Sequence, residues 1–143
     1  MTAPSPKTAP LATDGPHWTD SAAALGAPPA ILGWLSEAGL LTERVRRGCT
    51  GGFGLRIVEQ REDRLAPADA RLLGATDPRC FVREIELTCG GAARVFAQTL
   101  VPASTVAAEP WLAELGTEAL GPRLARTGNA RREPFEFARL EPG

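Results

Sequence analysis

The residues best placed to do chemistry lie in Phe81-Val82-Arg83-Glu84-Ile85-Glu86-Leu87, a run with strand-like alternation. Successive strand side chains point to opposite faces, so Arg83 shares a face with Phe81, Ile85 and Leu87. Val82, Glu84 and Glu86 take the other face. An unpaired charge on an apolar face is costly, so Arg83 requires an anionic partner. Two partners fit: a carboxylate of the core, or a ligand carboxylate held bidentately by the guanidinium.

Gly90-Gly91 follows this strand and signals a tight hairpin, because glycine accepts the positive φ of such turns. A two-residue turn there sets Arg83 opposite Gln98, Ile85 opposite Phe96 and Leu87 opposite Arg94. Opposed residues share a face, so Arg83 and Gln98 are expected to be neighbouring polar groups in an apolar pocket. Such a pocket suits a small anionic ring-shaped ligand.

The elements that position this pair follow from spacing. Pro28 and Pro29 precede Ile31, Leu32, Trp34 and Leu35, a helical pattern with proline in the first turn. Gly39 divides this region from a second short helix through Leu40, Leu41 and Val45, with Thr42 as its expected cap. A strand is predicted over 53–60, entered through the glycines at 51, 52 and 54. Without a following helix or Lys-Ser/Thr, that glycine cluster is a turn rather than a phosphate cradle. Residues 64–73 form a loop or short helix, and 80–89 and 92–101 form the hairpin strands. Helical spacing returns at Trp111, Leu112, Leu115, Leu120 and Leu124, broken near Gly116 and Gly121, and a last strand is expected over 135–140. Trp34-Leu35-Ser36-Glu37-Ala38-Gly39 and Trp111-Leu112-Ala113-Glu114-Leu115-Gly116 read either as a diverged internal repeat or as a chance likeness of two amphipathic segments.

Composition bounds the remainder. The 143 residues suit one core, with 43% apolar and 23% charged residues. A net charge of −1 gives no general attraction to nucleic acid or acidic membranes. Lys7 is the only lysine among 16 basic residues, so cations here are mostly planar guanidiniums. Cys49, Cys80 and Cys89 are odd in number and form no CxxC pair, and His17 is the only histidine. They read as cytosolic thiols without a metal. Residues 1–27, rich in Pro, Ala, Thr and Ser, are expected to be a disordered tail, with the domain over 28–143. No secretory signal or membrane-length apolar run is present, so a soluble cytoplasmic protein is expected.

At these residues the chain resembles the chorismate pyruvate-lyase family over roughly 31–140. Trp34-Leu35 with Gly39-Leu40-Leu41-Thr42 is similar to its W-L…G-S-L-T. Phe81-Val82-Arg83-Glu84-Ile85 looks like its W-[VL]-R-E-[VI], and Phe96-Ala97-Gln98-Thr99-Leu100-Val101-Pro102 like its F-A-R-[ST]-x-x-P. Leu115 to Gly121 follows its L-G-x-x-P-L-G, and Arg132 to Leu140 its late conserved-looking run.

The resemblance implies an α+β fold, an antiparallel sheet with helices packed on one face, six strands in the order 1-2-3-6-5-4. It implies a substrate carboxylate on Arg83, a ring lined by Leu41 and Leu120, and Gln98 where the family has a second arginine. It further implies cofactor-free elimination of pyruvate from chorismate, leaving 4-hydroxybenzoate for ubiquinone synthesis, beneath helical flaps in a monomer. The family's T-E-[LV]-F strand, which carries its acid/base glutamate, has no counterpart in this sequence. The catalytic residue is therefore unassigned, two strands are expected to be missing, and activity is expected to be weak or lost. The alternatives are a non-catalytic module for aromatic carboxylates and an inactive remnant. Open strand edges would also favour self-association.

Overall fold

A computed structural model describes residues 17–141. Three antiparallel strands form the sheet: β1, Phe53–Arg64; β2, Arg79–Cys89; and β3, Ala92–Pro102, in the order β1-β2-β3. Helices α1, Pro29–Leu35, and α2, Leu41–Arg47, precede it. Helix α3, Pro67–Leu73, joins β1 to β2. After β3 come α4, Ala103–Ala108, a 3-10 turn at Pro110–Ala113, and α5, Leu120–Thr127. The fold class is α+β, as the family resemblance implied.

The local causes are those the sequence advertised. Pro29 and Pro67 sit in the first turns of α1 and α3, where the missing N–H costs nothing. Gly90 and Gly91 adopt φ of 58° and 82°, the two left-handed positions of the hairpin turn. Leu40, rather than Thr42, is the N-cap of α2, and Thr42 is buried inside its first turn without a capping bond. The central strand β2 is covered on both faces: Arg83 and Glu84 are 2% and 0% exposed. Helix α3 packs through Ala70 onto Leu65, Cys80 and Val82, against which Leu100 of β3 also packs. Val82 points away from Arg83, so this one helix lies on the face opposite to the site.

Two bulges set the register. Pairing of β2 with β3 slips at Arg94, between Leu87↔Val95 and Thr88↔Ala93. A single extra residue shifts every later pair by one and reverses which face each residue takes. Gln98 is therefore opposite Glu84, and Arg83 is opposite Thr99. The expected pairing of Arg83 with Gln98 is overturned. The second bulge, at Val58, lies between Ile57↔Ile85 and Glu59↔Glu84.

Two other expectations change. Residues 135–140 form no strand; Phe137 makes only an isolated bridge to Thr19, with N–H···O distances of 2.8 and 2.6 Å. A lone extended segment has no ladder to join, and it takes the backbone that is available. That same bridge orders part of the expected tail, where Ala22 is buried and Ala23–Leu25 form a 3-10 turn. The rest of that tail, residues 1–16, lies outside the described residues. Cys49 and Cys89 are joined in a disulfide, contrary to the expectation of free thiols, with their Cα atoms 5.6 Å apart. Sequence spacing could not show that the loop after α2 meets the end of β2. Cys80 remains a buried thiol, and burial pushes it up.

The internal likeness has a structural echo. Arg44 of α2 stacks over Trp34 at 4.4 Å, and Arg123 of α5 stacks over Trp111 at 4.9 Å. Each tryptophan is thus clasped by an arginine from the helix that follows it, a cation–π contact repeated in both halves. No helix among the described residues is long and apolar enough to cross a membrane.

Candidate functional site

Arg83 sits mid-strand on β2, its guanidinium facing the segment between the 3-10 turn and α5. Its Nη1 donates to the Gly116 carbonyl at 2.8 Å and to Gln60 Oε1 at 3.2 Å. Its Nη2 donates to the Glu118 carbonyl at 2.8 Å. All three acceptors are neutral. No carboxylate among the described residues pairs with this cation, which removes the core-carboxylate explanation for its place. Burial pushes the guanidinium below the usual arginine range. A buried cation held by carbonyl oxygens alone retains a strong preference for an anion.

The segment over Arg83 is itself fastened. Gly116 takes φ of 58°, which turns the chain so that its carbonyl reaches the guanidinium. The Glu118 carboxylate accepts from Arg123 at 2.9 Å and Arg126 at 2.5 Å, both on α5. Those bonds hold its pKa below the usual carboxylate range.

Leu41 and Leu120 each begin a short helix, α2 and α5. These helix starts meet: a Cβ on Gly121 would lie 3.4 Å from Leu40 Cδ2. Leu120 follows the Arg83-bound segment by two residues, and Leu41 lines a groove of about 660 Å³ with Ile31, Trp34, Val45, Val95 and Phe96. The fold thus sets Leu120 just beyond the segment that Arg83 of β2 binds, while the groove that Leu41 lines includes neither Arg83 nor Leu120.

Gln98 stands apart. Its Nε2 donates to Glu84 Oε2 at 2.8 Å, on the face turned away from Arg83. The other Glu84 oxygen accepts no hydrogen bond, although Arg61 Nη1 lies 3.6 Å from it. Gln98→Arg is accordingly expected to leave ligand affinity within about threefold of the parent, because the new guanidinium meets Glu84 rather than the ligand. It should raise stability by roughly 1–2 kcal/mol through a charge-assisted bond to a buried carboxylate. Calorimetry and urea unfolding check the two parts; a tenfold gain in affinity would mean that the Arg94 bulge is absent in solution.

Sequence reasoning missed Gln60 and the buried Glu84. Glu84 was legible in principle, since Arg-Glu in the middle of a central strand puts one charge on each covered face. Gln60 was not, because its position depends on the bulge at Val58.

The chorismate lyase family model matches residues 14–142. A probable chorismate pyruvate-lyase of Methylococcus capsulatus is 36% identical over 110 residues, 76% of this chain and 68% of its own length. The probable chorismate pyruvate-lyase of Thiobacillus denitrificans is 35% identical over 121 residues, 82% of this chain and 64% of its own. That of Azoarcus is 34% identical over 111 residues, 75% and 58%. The matched region thus spans about three fifths to two thirds of these relatives.

Proposed function

Since the chain belongs to the chorismate lyase family, we propose that it binds chorismate and 4-hydroxybenzoate and takes part in eliminating pyruvate from the former. The observation that carries this reading is Arg83: a buried guanidinium that donates only to neutral acceptors. In such a setting a carboxylate gains far more from the cation than it would in water. Arg83 would take the ring carboxylate, and Leu41 and Leu120 would border the ring.

Binding requires the Gly116 and Glu118 carbonyls to yield Nη1 and Nη2 to the ligand. The segment from 114 to 119 therefore acts as a cover that a bound carboxylate displaces. Holding the substrate in one pose and excluding water are what this part of the molecule supplies to the elimination, in which the ring becomes aromatic. Glu118 is engaged by two arginines of α5, so it is a poor proton carrier. Among the described residues no carboxylate stands against Arg83, and the chain is read as the anion-binding part of the reaction. A cytoplasmic setting in ubiquinone synthesis goes with this reading, and in such a reducing setting the Cys49–Cys89 bond would be open to reduction.

The test pairs two measurements on the full chain. Titration with 4-hydroxybenzoate is expected to show saturable binding. Chorismate turnover, followed as pyruvate, is expected to be slow beside that of the longer relatives. Absence of binding by the parent chain would sink the proposal; rapid turnover would show that it carries its own acid/base group.

A second reading, a module that only binds aromatic carboxylates, is favoured by the same neutral surroundings of Arg83. It predicts the same titration and no pyruvate.

A further inference from the structure

Strand β1 runs Ile57-Val58-Glu59-Gln60 past the centre of β2. Ile57 pairs with Ile85. Continued without interruption, the register would set Val58 opposite Glu84 and Glu59 opposite Arg83. A glutamate directly across from a buried arginine would neutralise it internally. The bulge at Val58 prevents this. It moves Glu59 opposite Glu84, on the other face, where its carboxylate accepts from Arg61 at 2.7 Å. Gln60 takes the place opposite Arg83 and accepts from its Nη1 at 3.2 Å. Gln60 is exposed while Arg83 is buried, so an uncharged amide stands at the solvent side of the cation.

We propose that the bulge at Val58, by seating Gln60 rather than Glu59 against Arg83, sets the selectivity of this site for carboxylate ligands. Gln60 is a positioning residue: it orients the guanidinium without cancelling its charge. A glutamine side chain has nearly the shape of glutamate, so the difference between an open anion site and a self-neutralised one rests on a single charge. Bulges beside functional sites commonly re-aim one side chain, and here the re-aimed residue decides which charge the ligand must bring. The inference rests on the proposed binding of aromatic carboxylates at Arg83.

The experiment compares 4-hydroxybenzoate with its neutral analogue 4-hydroxybenzamide, by calorimetry, on the parent and two variants of opposite sign. The parent is expected to prefer the carboxylate. Gln60→Glu should weaken 4-hydroxybenzoate by on the order of a hundredfold, through ion pairing with Arg83, and leave 4-hydroxybenzamide within about threefold. Gln60→Lys should move the preference the other way, toward the carboxylate. General damage to the fold weakens both ligands together, so the ratio separates selectivity from structure. If Gln60→Glu does not fold cooperatively, Gln60→Lys decides alone. An unchanged ratio in the folded variants overturns the role of Gln60 while the binding proposal stands. A parent that binds neither ligand overturns both.

Discussion

Replacing Arg83 by alanine is expected to remove measurable 4-hydroxybenzoate binding, a loss of about 3–5 kcal/mol if both terminal nitrogens hold the carboxylate. The size follows from the setting. In water the same ion pair would contribute little, but this guanidinium is 2% exposed and has no competing anion among the described residues. The fold should tolerate the change. Arg83 brings its own desolvation cost, which the Gly116 and Glu118 carbonyls only partly offset. Arg83→Met, similar in length and uncharged, is expected to be at least as stable as the parent and equally unable to bind. Calorimetry and thermal melting of both variants check this. Retained affinity in either would place the ligand elsewhere, with the 660 Å³ groove beside Leu41 the first place to look.

The largest expected loss of stability comes from breaking the Cys49–Cys89 disulfide. The bond closes a loop of 40 residues that contains all of β1 and α3. Cross-linking a loop of that length restricts the unfolded chain by about 4 kcal/mol in the chain-entropy account. For a domain of this size that is a large part of the total. Cys49→Ser should therefore lower unfolding stability by roughly 2–4 kcal/mol. The parent in excess dithiol reductant should fall to the same value, and the variant should be indifferent to the reductant. Urea unfolding with and without reductant distinguishes these cases. A parent insensitive to reductant would show that the bond does not form in solution. Local consequences are expected near Leu41, because α2 has seven residues and a helix so short depends on what holds its ends.

Alternation along 81–87 was enough to set Arg83 on the strand face of Phe81, Ile85 and Leu87, where the structure buries it. The period of a strand, a property of two or three successive residues, fixes that placement. The hairpin was equally legible, because Gly90-Gly91 dictates its own φ angles. The short helices were legible from proline, glycine and apolar spacing. The order of motifs was enough to suggest the family, although not which residues surround the site.

What the sequence could not determine was anything that hangs on one extra residue or on distant segments meeting. The bulge at Arg94 moved Gln98 to the far face, beside Glu84, and the bulge at Val58 brought Gln60 to Arg83 in place of Glu59. Neither residue announces a bulge, since the slip is chosen by the packing of both faces of β2 together. The partners of Arg83 were also invisible, because two of them are backbone carbonyls more than 30 residues downstream, and a carbonyl has no signature in the sequence. The disulfide belongs to the same class, joining positions 40 residues apart whose meeting depends on where α2 ends and β2 closes. Period and turn chemistry are local and were written in the residues, while register, cross-links and the company a buried charge keeps are set by tertiary contacts among all the segments at once.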